Sequence, residues 1–266
     1  LKFDGTLIIQ AQGTGIIRLL VVECTAALGV RATVKLSPDI DNQLLDVNAS
    51  LSDLLNPDGQ GKLAITLDPS NRQEGQQAYQ GIVPLLNEDG TPIETISEAI
   101  MSYMRNSEQL ETRLWLASND EFAAGILLQR LPSVGGKIDP ALSRSEEAIA
   151  DEWERLQMLA NTSTNEEILN TPASVMMHRL FQEESEWQQV RSFPIRKVHF
   201  QCQCSRQRVG NMLIMLGTQE VESILAEQGQ VETECDFCGK KYHFDPVDCK
   251  QLFTTSDIDT GTRSPS

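Results

Sequence analysis

The chain has 266 residues, of which 40% are hydrophobic, 23% are charged and 5% are aromatic. This composition is typical of a globular protein with an aliphatic interior, and the length predicts one substantial domain and a smaller one. The net charge of −16 argues against nucleic acid or an anionic membrane as the main partner, because phosphate-bearing surfaces bind basic faces. The longest apolar run, at 16–30, contains Arg18 and Glu23 and is too short to span a bilayer.

The first half of the chain carries the period-two pattern of strands. At 28–36 apolar and polar residues alternate, which predicts a strand with one half-buried face. Further strand patterns, each between turn-rich stretches, lie at 62–67, 79–85, 112–117 and 123–131. One helix is predicted at 95–104, where Thr95 and Glu98 have capping-box spacing. We expect an α+β core domain at 1–136 built on an antiparallel sheet. Because the chain starts without Met inside a strand-like pattern, we also expect a preceding segment in the native protein.

An acidic helical linker is predicted over residues 137–197. Two helix starts are indicated by N-terminal signals, at Ser143 with Glu146 and at Thr171 with Pro172. Over 137–187 the linker has four basic residues against eleven acidic ones. Two interpretations fit this composition: a solvated connector, or a metastable segment whose folding is conditional.

Four of the six cysteines form two close pairs, Cys202 with Cys204 and Cys235 with Cys238, separated by thirty residues. Four soft thiolate ligands at this spacing predict one tetrahedral zinc ion per chain. Two short amphipathic helices are predicted between the pairs. A domain as small as 198–253 has too little apolar area to offset its ordering, so metal binding would supply on the order of 10 kcal/mol of its folding free energy. The tail at 254–266 is predicted to be disordered.

The residues alone leave two roles open for this metal centre. Zinc is structural in one interpretation. In the other it is part of a redox switch, because zinc holds the sulfurs as thiolates, the form that oxidants attack, and metal loss would unfold the domain. Nearby basic residues either offset the thiolate charge or are ordinary solvated charges: Arg206, Arg208, Lys240 and Lys241. Paired thiols in a long chain also indicate a reducing compartment, the cytoplasm.

The other candidate residues are assigned no role. Cys24 lies in an apolar strand pattern, which indicates a buried, inert thiol. Cys249 is a potential spare ligand or resolving thiol, but four ligands already complete the tetrahedron. For the same reason His199 and His243 are not assigned as metal ligands. His178 has no acid or nucleophile at a spacing typical of a catalytic site. We find no catalytic motif and expect no enzymatic activity.

The sequence resembles the bacterial redox-regulated holdase chaperones, the family of the 33 kDa chaperonin (heat shock protein 33). The resemblance is carried by the cysteine motifs "CQCSRQR" and "CDFCGKKYHF", by "EVESILAEQGQVE" between them, and by the core stretches "LKFDGTLIIQAQG", "YQGIVPL", "SEQLETRLWLA" and "GILLQRLP". Together these stretches span most of the chain. Cys249 is a departure from the family pattern.

This resemblance implies a folded core, a metastable linker and a zinc domain that is inactive when reduced. On oxidation Cys202 would join Cys204 and Cys235 would join Cys238. Zinc would then leave, and the zinc domain and linker would unfold. The oxidised protein, as a homodimer, would bind unfolding clients in the bacterial cytoplasm without ATP.

Two other classes of protein share some of these features. A zinc-ribbon-like module with structural zinc would bind a protein or a nucleic acid, but residues 196–253 carry seven basic and eight acidic side chains, which argues against nucleic acid. A thiol-disulfide oxidoreductase would place its Cys-x-x-Cys motif at the start of a helix after a strand. Here the motif lies in a stretch typical of a zinc hairpin.

Overall fold

The computed structural model describes residues 4–38, 48–71, 78–131, 145–182 and 193–260, with side chains as far as Thr254. The chain divides into two compact units. The first comprises Leu1–Ala26 and Val34–Lys197, and the second comprises Ala27–Thr33 and Val198–Ser266. A short stretch near the start of the chain therefore belongs with the carboxy-terminal unit. Among the described residues, no helix is both long enough and apolar enough to cross a membrane.

The strands form as the period-two pattern predicts. Those of the first half are β1 (Gly5–Gln12), β2 (Ile17–Thr25), β3 (Gly29–Leu36), β4 (Lys62–Pro69) and β5 (Tyr79–Pro84). The first unit has an antiparallel sheet in the order β5-β4-β1-β2. Ile9 on β1 lies opposite Val22 on β2 and Ile65 on β4, so the apolar positions align across the strands. On β3 the predicted half-burial is wrong at Val34 and Leu36, which are 46% and 51% exposed.

Two helices close the core over this sheet. They are α1 (Leu51–Leu55) and α2 (Ile96–Asn106), and each begins with a capping box. The box of Thr95 and Glu98 confirms the prediction for α2. The helices and strands share one buried cluster, composed of Ala11, Leu51, Leu55, Leu63, Ile65, Val83, Leu85, Ile93, Ala99 and Tyr103. Gly81 on β5 makes room for the Tyr103 ring, because a Cβ there would lie 2.6 Å from the Tyr103 hydroxyl oxygen.

A β-hairpin and three helices complete the first unit. The hairpin is β6 (Thr112–Ser118) with β7 (Ala123–Gln129), both predicted as strands. The helices are α3 (Glu146–Asn161), α4 (Asn165–Asn170) and α5 (Ala173–Phe181). Both α4 and α5 lie against the hairpin: α4 packs on β6 and β7, and α5 lines a groove beside β7.

The predicted starts of the linker helices need correction. Ser143 lies outside the described residues, and α3 is capped by Ser145, whose side chain accepts a hydrogen bond from the backbone N–H of Ala148. Thr171 does not cap α5, because it is already the residue that ends α4 and its own N–H bonds back to Glu167. Pro172 takes the N-cap position of α5 instead, where its missing N–H is no loss. The short helix α4 was not predicted.

The second unit is a small module around the cysteines. Its elements are β8 (His199–Phe200), α6 (Arg206–Leu216), α7 (Thr218–Gln228), β9 (Val231–Glu234), β10 (Lys241–Phe244) and α8 (Pro246–Thr260). The two helices between the cysteine pairs and the hairpin at the second pair confirm the prediction. Helix α8 extends through 254–260, where a disordered tail was predicted. At the start of this stretch the Thr254 hydroxyl donates to the Lys250 carbonyl one turn earlier. Residues 261–266 lie outside the described residues.

Candidate metal centre

The four paired cysteines converge on one point. Their sulfur atoms all lie within 4.8 Å of one another. Cys202 Sγ is 3.6 Å from Cys235 Sγ, and Cys204 Sγ is 3.4 Å from Cys238 Sγ. Four sulfurs about 2.3 Å from a tetrahedral zinc ion would be about 3.8 Å apart. The cluster therefore has the dimensions of a tetrathiolate site.

The first pair lies between a strand and the start of a helix. The N–H of His199 donates to the Leu28 carbonyl at 3.2 Å and that of Gln201 to the Val30 carbonyl at 3.0 Å, which fixes the chain just before Cys202. Immediately after Cys204, Ser205 caps α6 through its side-chain oxygen. The amino-terminal end of a helix carries partial positive charge, which favours thiolates beside it.

The second pair lies in the turn of the β9–β10 hairpin. The Cys235 N–H donates to the Lys240 carbonyl at 3.0 Å, and the N–H groups of Cys238 and Gly239 return to the Cys235 carbonyl at 3.3 and 2.8 Å. Gly239 has φ of +68°, a left-handed conformation that glycine adopts without steric cost. This closed turn places both thiols at the hairpin end that faces the first pair.

Four thiols at this spacing do not all ionise without a cation. Burial raises the pKa of Cys202, but the Cys204 backbone N–H and the neighbouring thiols outweigh it and lower that pKa to about 6. The Lys240 backbone N–H lowers the pKa of Cys238, but the adjacent Cys204 thiol, burial and the other two sulfurs raise it to about 12. Because neighbouring thiolates repel one another, the four sulfurs share protons instead of all ionising. A soft divalent cation such as zinc would remove that repulsion, so the donor set fits zinc.

The four basic residues that the sequence left open as counter-charges or solvated charges contact groups other than the sulfurs. Arg206 donates to the His243 carbonyl at 2.7 Å, pairs with Asp248 at 2.7 Å and stacks on the Phe244 ring. It therefore holds α6 to β10 and α8. The other three also contact groups other than the sulfurs: Arg208 the Gln203 side chain, Lys241 the Glu232 carboxylate and Lys240 the ring of the buried Tyr242.

Arg31 on β3 brings a guanidinium into contact with a cysteine. Its Nη1 donates to Cys202 Sγ at 3.8 Å. Sequence reasoning missed this residue, since it precedes the cysteine by 171 positions and the pairing of β3 with β8 is non-local. On the sequence it was simply a polar position of an alternating strand.

The other cysteines and histidines of the sequence analysis are not among the four residues whose ligand atoms converge. Cys249 is 2% exposed in the apolar core of the second unit, and burial raises the pKa of its thiol. Cys24 is half-buried rather than buried, because it lies on the sheet of the first unit with its sulfur directed to the Thr25 carbonyl. His243 Nδ1 lies 3.5 Å from a Glu232 carboxylate oxygen, and His199 is exposed on β8.

These observations define a class: an α+β protein with a helical segment and a carboxy-terminal module organised around four convergent thiols. The sequence model of the protein family described as Hsp33 protein matches residues 1–245 of the chain. The chain therefore belongs to this family. Its members are chaperones. Membership of this family supports a chaperone function for the chain. The four clustered cysteines are compatible with zinc binding.

Individual relatives agree with this membership. The 33 kDa chaperonin of Methylobacillus flagellatus is 45% identical over 257 residues, which cover 97% of this chain and 77% of that protein. The 33 kDa chaperonin of Chromobacterium violaceum is 46% identical over 253 residues, or 95% of this chain and 75% of the relative. The crystal structure of the 33 kDa chaperonin of Thermotoga maritima superposes with a TM-score of 0.68 at 20% identity, covering 97% of this chain and 81% of that one. That structure supports the fold.

Proposed function

We propose that this chain is a redox-regulated, ATP-independent holdase of the bacterial cytoplasm. Reduced and zinc-bound, it is inactive. Oxidation of its thiols releases the metal, unfolds the second unit and the linker, and produces a form that binds unfolding proteins and suppresses their aggregation. The observation that carries the proposal is the convergence of Cys202, Cys204, Cys235 and Cys238 within a small unit of limited core.

In the reduced state the four thiolates would hold one zinc ion per chain. The metal supplies charge compensation and a cross-link between the two cysteine-bearing turns. The apolar cluster of this unit is small, and its fully buried members are Leu213, Val221, Val231, Tyr242, Phe244 and Cys249. A core of this size leaves the unit dependent on the metal for stability.

Peroxide is the oxidant proposed for the switch. One thiolate sulfur attacks peroxide, the O–O bond breaks, one oxygen stays on sulfur as a sulfenic acid and the other leaves as water after protonation. The neighbouring thiolate displaces the sulfenic oxygen, which leaves as a second water as the S–S bond forms. Each disulfide therefore takes two electrons from two sulfurs to one peroxide. We propose the pairs Cys202 with Cys204 and Cys235 with Cys238, each close in sequence.

The described helices of the proposed linker, 137–197, contact the β6–β7 hairpin. Helix α3 is joined to β6 where Trp115 Nε1 donates to Asn161 Oδ1 at 2.9 Å and Arg113 Nε donates to Gln157 Oε1. Beside β7, helices α4 and α5 leave an apolar groove of about 500 Å³. Loose packing of this kind leaves dispersion contacts unmade and supports a linker of low local stability.

Melting this linker would present apolar surface to clients. Ile168 on α4 and Met176 on α5 are 7% and 8% exposed and would become accessible together with the face of β7. The partners we propose are unfolding proteins and, in the oxidised state, a second copy of this chain. Client capture of this kind needs no catalytic turnover, so we propose no enzymatic activity. We also propose no nucleic acid partner and no membrane partner.

The test follows zinc release and chaperone activity in the same sample. The reduced, zinc-loaded chain is treated with peroxide at heat-stress temperature, and zinc is detected with a colorimetric chelator while light scattering records the aggregation of an unfolding client. We expect zinc release and suppression of aggregation to rise together, and both to reverse on addition of a thiol reductant and zinc. A chain with Cys24→Ser, which keeps all four ligands and changes a half-buried residue of the first unit, should respond in the same way.

Activity that is independent of oxidation would contradict the proposal. In that case zinc would be structural, and a protein-binding module of the zinc-ribbon type would become the better description. Peptide mapping of the oxidised chain distinguishes the disulfide pairing, since Cys202 with Cys235 would contradict the pairing proposed here.

A further inference from the structure

Arg31 contacts both halves of the thiol cluster. It lies on the part of β3 that belongs to the second unit. Its Nη1 donates to Cys202 Sγ at 3.8 Å, and its guanidinium carbon lies 4.1 Å from the centroid of the Phe237 ring. Phe237 stands between Cys235 and Cys238 in the hairpin turn. One cation therefore bridges the loop of the first cysteine pair and the turn of the second.

Other contacts fix the strand that carries Arg31 in this position. Gly29 and Val30 pair in parallel with His199 and Phe200, the two residues of β8. The Thr33 hydroxyl donates to the carbonyl of Asp236, inside the second cysteine turn, at 2.9 Å. A Cβ at Gly29 would collide with the Gln201 side chain, so glycine is required for this close approach. The Arg31 side chain thus extends from a backbone that is anchored on both sides.

We propose that Arg31 is a positioning residue of the thiol switch, which retains the metal and slows oxidation by donating to Cys202 while stacking on the second cysteine turn. The regulatory part of this inference rests on the proposed function. A tetrathiolate site with a divalent cation has a net charge of −2, and a guanidinium stays charged at every physiological pH. Its planar fork can donate to sulfur and stack on an aromatic ring at the same time.

The contact has two chemical consequences that act in the same direction. A hydrogen bond to a thiolate draws electron density from the sulfur, so the sulfur is a weaker nucleophile toward peroxide. The positive charge offsets repulsion among the four sulfurs, so the metal is bound more tightly. Loss of a partner that orients a metal ligand typically weakens metal binding about 10- to 100-fold.

The experiment compares Arg31→Ala, Arg31→Lys and Thr33→Val in the full chain, with Arg208→Ala as the matched control. Arg208 is another arginine of the second unit, and its side chain donates to Gln203 rather than to a sulfur. Two readouts are taken on the reduced protein: zinc affinity by competition with a chelator, and the sulfur-to-cobalt charge-transfer band after substitution with Co²⁺. The rate of zinc release after addition of peroxide is recorded as well.

We expect Arg31→Ala to weaken zinc binding about 10- to 100-fold, to move the charge-transfer band to longer wavelength and to speed peroxide-driven zinc release. Arg31→Lys keeps the charge but loses the fork, so its affinity and band should fall between those of the wild type and the alanine variant. Thr33→Val should weaken affinity without moving the band, because Thr33 contacts a carbonyl and not a sulfur. Arg208→Ala should leave the band unmoved, because its side chain contacts Gln203 and not a sulfur.

Wild-type affinity and an unmoved band in Arg31→Ala would overturn the proposal, as would equal effects in Arg208→Ala. If Arg31→Ala fails to fold, Arg31→Lys decides: an intermediate affinity and band support the proposal, and wild-type values overturn it. Neither readout uses a client protein. A failure of the proposed function would appear separately, as zinc release from the wild-type chain without any gain of antiaggregation activity.

Discussion

Substitution of Leu213 lowers the stability of the second unit and leaves every cysteine in place. This side chain on α6 is 2% exposed and packs with Val221, Tyr242 and Phe244. Replacing a buried leucine by alanine costs about 2 to 5 kcal/mol, since transfer free energy is lost and a cavity remains. Under the proposed function metal binding drives the folding of this unit, so the same free energy is subtracted from zinc binding. We predict that Leu213→Ala weakens zinc affinity by a factor of ~30 or more.

The assay is equilibrium competition between the reduced protein and a chelator of known zinc affinity. Met215→Ala is the matched control, because Met215 lies on the same helix and is 88% exposed. Substitution of an exposed residue of this kind changes stability by less than about 0.5 kcal/mol, which corresponds to roughly twofold in affinity. Leu213→Ala should also become an active chaperone at a lower peroxide concentration than Met215→Ala.

Two results would refute this reasoning. Unchanged zinc affinity in Leu213→Ala would mean that the unit folds without its metal, so that binding and folding are separate events. Equal loss of zinc affinity in Leu213→Ala and Met215→Ala would mean that burial of the α6 side chain does not determine its effect on the metal site.

Three further changes test other parts of the structure. Asn161→Ala removes the partner of Trp115 at a cost of about 1 kcal/mol, so we expect a shift in tryptophan fluorescence and partial chaperone activity in the reduced state. The backbone N–H and hydroxyl of Thr164 lower the pKa of Glu167, so its support of α4 is present above the ordinary pKa and is lost as pH falls through the lowered one. Glu167→Gln should therefore flatten the pH dependence of urea unfolding of the first unit in that range. Gly239→Ala forces a side chain into φ of +68° at about 1 kcal/mol, and chelator competition should show roughly fivefold weaker zinc binding.

Local signals in the sequence account for most of the elements. The capping box at Thr95 and Glu98 sets the start of α2, and the spacing of apolar residues sets α6 and α7. The turn of the second cysteine pair is also local, because its backbone–backbone hydrogen bonds close between residue 235 and residue 240. These features depend on residues a few positions apart, which is the range over which a sequence pattern carries information.

The features that were missed depend on contacts between distant segments. Arg31 meets Cys202 and Phe237 only because β3 and β8 pair, and nothing in the alternation at 28–36 indicates that pairing. The exposure of Val34 on the same strand has the same origin, since the alternation predicts which residues share a face and not what covers that face. Thr171 was assigned to the wrong helix because α4 is too short to carry a periodic signal.

Hydrogen exchange of the backbone amides, compared between the reduced zinc-loaded chain and the peroxide-oxidised chain, tests the central claim most directly. The account predicts that amides of 198–253 and of helices α3 to α5 lose protection on oxidation. Those of β1 and β4, paired along their full length in the core sheet, should keep it. Helices α3 to α5 that stay protected while chaperone activity appears would contradict the claim that thiol oxidation acts by unfolding the linker.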